Sequence, residues 1–248
     1  MSRSGRGSAG ACTVNITPLG EIDSWGGTSL RRNVEEDSDL LAHAVVFGDG
    51  EATGAIVSMD IALIDRRNAL AVREACAVHA GIPREHITVA ANQVHVAPRA
   101  APGFLLYRPD TNPLYIDFLS RRVVEAVVEA KRRMRPARMA FGYASARGVA
   151  FNRRYLKPEG GIKMVFAADR DASLPAAGPA DEDLGYILFE EPDGTPIGLV
   201  ASLAPHNHVV GGCPVPGRGP DRFFHRDFYG RFGDEVRRRY GAPVPTAI

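Results

Sequence analysis

The sequence is poor in the features that most quickly assign a protein to a class. It has three cysteines, Cys12, Cys76 and Cys213, an odd number without C-x-x-C spacing. That pattern argues against a zinc ribbon or a disulfide framework and fits a reducing compartment, so the three are read as packing residues. No apolar run approaches the length of a membrane span, and the Ser/Gly/Arg-rich stretch 1–10 lacks the apolar segment of a signal peptide. The expectation is a cytoplasmic chain with 1–10 as a disordered lead and no transmembrane segment. Charge of one sign is missing too. Thirty basic against 29 acidic residues leave a formal net charge of +1, which offers no field for nucleic acid or an anionic membrane. The local cationic run Lys131-Arg132-Arg133-Met134-Arg135 ends a helical stretch, where cations favour the helix dipole.

What is present is a globular composition, 45% hydrophobic over 248 residues, enough to bury a good core. Its patterning repeats. A strand over 41–47, the turn Gly48-Asp49-Gly50, a strand ending in Val57-Ser58-Met59-Asp60, a helix, the turn Gly81-Ile82-Pro83 and a strand over 86–91 form a first unit leading to Gln93 and His95. A second unit follows the same plan. It has a strand over 186–190, the turn Pro192-Asp193-Gly194, a strand over 197–203 leading to His206, a helix around 234–240 and the turn Gly241-Ala242-Pro243, with Val244 to Ile248 as the start of a last strand. Alternation, β-branched residues and Asp-Gly turns predict the strands, and apolar spacing over 67–79 and 113–134 predicts helices. The fold class is therefore α/β, with mixed sheets built from two related strand-strand-helix-strand units and helices packed outside. Two irregular Gly/Pro-rich stretches, 159–183 and 211–222, lie near strand ends where such folds gather their sites.

The polar residues at those strand ends are the candidates for chemistry. His206 and His208 are two apart, a spacing that faces one side if strand geometry persists through them, and that suits metal ligation. His95 ends the first unit. Asp60 and Asp227 can each orient a histidine from behind or cap a following helix. Arg153 and Arg154 offer planar forks to a carbonyl-derived anion, or stand as a solvated loop pair.

Taken in order, several short motifs resemble those of the neutral/alkaline, non-lysosomal ceramidases. They are Val14-Asn15-Ile16-Thr17-Pro18 with Gly20, Ala42-His43-Ala44-Val45-Val46, Val57-Ser58-Met59-Asp60, Gly81-Ile82-Pro83, Ala90-Ala91 leading to His95 and Pro98, and Asn152-Arg153. The series continues with Asp193-Gly194, Pro196-Ile197, His206 with Val209-Val210-Gly211, and Asp227-Phe228-Tyr229-Gly230. Each motif is weak alone, whereas an ordered series over 11–248 is fairly specific.

The resemblance implies a domain at 11–248 corresponding to the N-terminal part of a longer catalytic domain, apparently without its C-terminal half. It also implies a zinc-dependent hydrolase of the amide bond of ceramide or a related acyl amide. In that family zinc is held by two histidines from this part and by a glutamate and a tyrosine from a later part. The family pattern Thr-His-Thr-His-Ser-Gly-Pro falls on 92–98, so the ligand histidine is replaced by Gln93 and only His95 survives, while the other zinc histidine corresponds to His206 and the arginine near the reacting centre to Arg153. A neutral amide is a poor zinc ligand beside imidazole. The resemblance thus implies a chain that is inactive in isolation, binds zinc weakly or not at all, and self-associates or pairs with a complementing C-terminal half. Two rivals stand beside it. One is an active hydrolase of a smaller amide or ester, with a rearranged metal site of His95, His206 and His208. The other is a non-catalytic binding or assembly module.

Overall fold

The computed structural model describes residues 7–20, 22–26, 29–33, 35–36, 39–101, 111–164, 173–210 and 223–248. Its elements begin with strands β1 (Ser8–Asn15), β2 (Ile22–Gly26), β3 (Ser29–Asn33), β4 (Glu35–Glu36), β5 (Leu41–Gly48) and β6 (Thr53–Met59). Helix α1 (Arg66–Ala80), β7 (Ile87–Ala91), α2 (Pro113–Arg132), β8 (Arg135–Pro136), β9 (Arg138–Ser145), β10 (Arg154–Leu156) and β11 (Ile162–Met164) follow. The chain continues through β12 (Asp183–Glu190), β13 (Pro196–Ser202), β14 (Phe223–Phe224), α3 (Asp227–Tyr240) and β15 (Thr246–Ala247).

Two sheets carry the architecture, and they are copies of one plan. The first has the order β7-β6-β5-β1-β8 and the second β15-β13-β12-β9. In each, an antiparallel hairpin is followed by a helix and a strand parallel to the hairpin's second member, β7 on β6 and β15 on β13. The hairpin turns use the predicted chemistry. Gly50 and Gly194 have φ of 93° and 92°, which a side chain resists, while Asp49 and Asp193 accept backbone N–H bonds across the turn. Helices α1 and α3 both end on a left-handed glycine, Gly81 and Gly241. The repeat extends one strand further than the sequence pattern shows, because β1 flanks β5 as β9 flanks β12.

Helices α1 and α2 cover the outer face of the first sheet. Val72 and Cys76 of α1 and Leu119, Val123, Ala126 and Val127 of α2 pack with Ala42, Ala44, Val46, Val57 and Met59. Each fully buried large aliphatic contributes about 1.5–3 kcal/mol. β1 begins at Ser8, inside the stretch read as a disordered lead. Its Ala9-Gly10-Ala11 start is a weak strand signal, but smallness is what the packing needs: a Cβ on Gly10 would stand 2.1 Å from the backbone oxygen of Ala130 in α2.

The sheets pack face to face through Ala9, Ala11 and Val45 on one side and Phe189 and Ile197 on the other. The Phe47 and Phe189 rings stack at 5.3 Å. Closest approach is at Gly198, where a Cβ would lie 3.0 Å from that of Ala11. Cys12 and Cys76 are buried thiols in the core, and burial pushes the Cys76 thiol up to about 12. Cys213 and the stretch 211–222 lie outside the described residues, as does 165–172 of the earlier irregular stretch, whose beginning forms part of the β10–β11 hairpin. Among the described residues no helix is long and apolar enough to cross a membrane.

Candidate metal centre

The candidate site forms where an arm from each repeat meets the other. The first arm leaves β7. Asn92 N–H donates to Met59 O and Gln93 N–H to Ile61 O, both at 3.1 Å, so the chain folds back over the end of β6. Gln93 takes a left-handed φ of 63° there, a conformation that costs a non-glycine residue about 1–2 kcal/mol. Asp60 anchors this turn. Its carboxylate accepts from Asn92 Nδ2 at 2.6 Å and from Leu41 N at 2.8 Å. Burial raises its pKa to about 6 against the lowering effect of those two bonds and of the Arg226 charge. Asp60 therefore does not cap α1: the cap is Asp65, whose carboxylate accepts from Asn68 N.

The second arm leaves β13 at Ser202. Strand geometry does not persist to the histidines. His206 and His208 lie in an irregular loop past Pro205, and their common orientation comes from a tight turn in which His208 N–H donates to His206 O at 2.8 Å. Asp227, at the start of α3, accepts from Val209 N and Val210 N and from no histidine.

Between the arms the three imidazoles converge. His95 Nε2 lies 2.7 Å from His206 Nε2, and the His95 and His208 rings stack with centroids 3.8 Å apart and planes 13° off parallel. One ring nitrogen from each histidine falls within a 4.8 Å group. Two ring nitrogens in that neighbourhood, His95 Nδ1 and His208 Nε2, are buried without a hydrogen-bond partner. Burial is the largest influence on His95, followed by the charges of His208 and His206, and together they lower its pKa to about 4. His206 is also lowered, by burial first, then by His208 and Arg153, with Asp227 opposing. Neutral imidazole is the form that binds a metal.

The donor set fits a divalent metal. His95, His206 and His208 would each offer one ring nitrogen to it, and imidazole nitrogens are the donors zinc favours. The histidine that meets His206 is His95. Gln93, where the resemblance implies a ligand, has an exposed side chain and contributes its backbone to the turn. Arg153 precedes β10, is exposed, and lies near enough for its charge to act on His206. Arg154 opens β10 and is exposed. Beside the arms is a cavity of about 370 Å³ walled by Ala91, Gln93, Ala201, Leu203, His206 and Tyr229. Asn92 and Asn207 are not read as site residues from the sequence, and Tyr229 enters there only within a motif. Asn92 and Tyr229 lie within two residues of a strand end or a helix start, a signal too common to mark them in advance, and Asn207 lies in an irregular loop past β13.

No protein-family model matches the sequence, and no curated protein matches it. Among solved structures, the fold is similar to that of neutral ceramidase from Pseudomonas aeruginosa, with a TM-score of 0.73 and 15% identity over 98% of this chain and 37% of that one. A ceramidase complexed with C2 is similar at a TM-score of 0.70 and 15% identity, with the same coverage. The chain thus shares a ceramidase-like α/β fold and spans little more than a third of the length of those proteins.

Proposed function

We propose that this chain is a ceramidase-like, metal-dependent hydrolase whose centre is built from His95, His206 and His208, and that it acts on an acyl amide or the related ester. The observation that supports this most is the convergence of three ring nitrogens within 4.8 Å beside a cavity of about 370 Å³. Three imidazoles can be the protein share of a catalytic zinc site, which keeps a further position for water or substrate. Zinc, when bound, supplies Lewis acidity and a water that ionises near neutral pH.

The chain's own groups supply the rest. Burial holds His95 neutral, so it enters the site as a ligand rather than a cation. Arg153, on the exposed side of His206, offers its guanidinium fork to the oxygen that gains charge as the carbonyl is attacked. The wall of Ala91, Ala201 and Leu203 accepts an apolar group, and Gln93 at its edge offers an amide to the substrate's polar end. An acyl amide or lipid with one such chain is the substrate class we assign, with ceramide as the long-chain member.

A second reading is favoured by the limited coverage of the ceramidases. In it the centre is completed by a further ligand from a complementing segment, and the isolated chain is inactive. One experiment separates the readings. The purified chain is dialysed against a mild chelator, its zinc is measured, and turnover is followed on a panel from short acyl esters to ceramide. Near-stoichiometric zinc, lost in His206→Ala and His208→Ala, with chelator-sensitive turnover supports the three-histidine hydrolase. Retained zinc without turnover supports the incomplete centre. A chain without zinc under any loading condition overturns the three-histidine hydrolase and is the outcome that a centre lacking a ligand gives.

A further inference from the structure

The two histidine arms come from different repeats, and one short stretch at the start of α3 bonds to both of them. His225 N–H donates to Val96 O at 3.0 Å, tying the stretch to the residue after His95. His225 Nδ1 accepts from Asp227 N at 2.8 Å, fixing the turn that enters the helix. The Asp227 carboxylate then accepts from Val209 N at 3.1 and 3.0 Å and from Val210 N at 2.8 Å, directly after His208, and from its neighbour Phe228 N at 2.8 Å. On the other side of the histidines, Tyr229 Oη donates to Leu203 O at 2.6 Å and Pro205 O at 2.8 Å. Tyr229 N–H reaches Asn207 Oδ1, between the two histidines, at 3.4 Å.

Asp227 and Asn207 are both 1% exposed. Asp227 also takes a left-handed φ of 55°, unusual for a residue with a side chain, and such a backbone persists only where its surroundings fix it. The bonds to the carboxylate are charge-assisted, and their donors are backbone groups with no freedom to follow a looser partner.

We infer that the stretch from His225 to Tyr229 is the positioning element of the centre: Asp227 and Tyr229 hold the His206–His208 arm, and His225 holds it against the His95 arm, at metal-binding separation. This rests on the metal reading above and adds to it the residues that act on the ligands from behind. Asp227→Asn keeps the volume but replaces one acceptor oxygen by a donor facing backbone N–H groups. Tyr229→Phe keeps the ring and removes the bonds to Leu203 and Pro205. Loss of an orienting contact behind a ligand typically costs roughly ten- to a hundredfold in metal affinity.

The test uses the full chain and Co(II) as the probe. Affinity and the visible ligand-field spectrum are measured for the wild type, Asp227→Asn, Tyr229→Phe and Val123→Ala, a core variant in α2 that controls for lost stability. The ring-to-ring NOE between His95 and His208 is measured in the metal-free proteins. The expected result is a roughly tenfold or greater loss of Co(II) affinity and an altered spectrum in Asp227→Asn and Tyr229→Phe, with the NOE weakened in both and neither readout changed in Val123→Ala. Wild-type affinity and NOE retained in both variants, or an equal loss in Val123→Ala, overturns the positioning role. A wild type that binds no Co(II) overturns the metal reading alone, and the NOE then decides whether the stretch positions the histidines.

Discussion

In the first repeat, strands β5 and β6 are enclosed on both faces, by α1 and α2 outside and by the second sheet inside. In the second repeat the strand that corresponds to buried β1 is β9, whose Phe141 and Tyr143 are 77% and 78% exposed. One topology thus serves as a core in one copy and as a platform in the other. What sets the difference is the coverage supplied by helices, since the hairpins, turn glycines and parallel last strands are the same. The copies differ at their working ends as well. The end of β6 carries Asp60, which anchors a backbone turn, and the end of β13 leads to His206 and His208.

The contrast in coverage is broken most directly by truncation. Leu119→Ala, in the core beneath the first sheet, is expected to lower stability by about 3 kcal/mol. Phe141→Ala on β9 should change it by no more than about 0.5 kcal/mol. Urea denaturation checks both, and similar losses would show that something covers β9 in solution. The next effect concerns the two close approaches. Gly10→Ala meets backbone of α2 at 2.1 Å and is expected to cost about 3 kcal/mol, whereas Gly198→Ala meets Ala11 and Val45 at 3.0 and 3.3 Å, a smaller overlap costing about 1 kcal/mol. The same titration ranks them, and the reverse order would place the tighter seam between the sheets.

A pH scan sharpens the comparison of buried polar groups. Burial, with Arg226 and Arg237 nearby, lowers the His43 pKa from 6.5 to about 3. The unfolded chain then binds more protons than the folded one between those values, so this stabilisation is full above about 6.5 and is lost as pH falls towards 3. Asp60 runs the other way. Its raised pKa gives stability that is present below about 4 and lost as pH rises through about 6. Thermal midpoints from pH 7 to 4 should fall, with His43→Gln flattening the fall and Asp60→Asn steepening it. The smallest effect is at the helix starts. Asp65→Ala should cost about 1 kcal/mol by uncapping α1, whereas α3 has no such bond from its N-cap residue Arg226 and Arg226→Ala should remove no cap.

The repeat was legible because turns and alternation are local. Gly81 and Gly241, the Asp-Gly hairpins and the spacing of Val123, Ala126 and Val127 need no knowledge of what lies across the fold. The start of β1 was not legible, since Ala9-Gly10-Ala11 is strand only by virtue of the helix and sheet that press on it. The site divides in the same way. His95, His206 and His208 stood out as polar residues past strand ends. Their convergence depends on Asp60, Asn92, Asp227 and Tyr229, whose side chains bond to groups far away in sequence, and no periodicity encodes such a bond. The expectation that strand alternation aligns His206 and His208 had the right outcome for the wrong reason: a turn fixed from α3 aligns them.

Gln93, held at a positive φ at the base of the His95 arm, makes selection for stability and selection for metal retention diverge. Glycine there would relieve a strain of about 1–2 kcal/mol in the folded chain while giving the unfolded chain more freedom, which offsets the gain. A library screened for heat resistance alone would therefore be nearly blind to this exchange. A library screened for zinc retention would reject it, because the released backbone no longer dictates where His95 points.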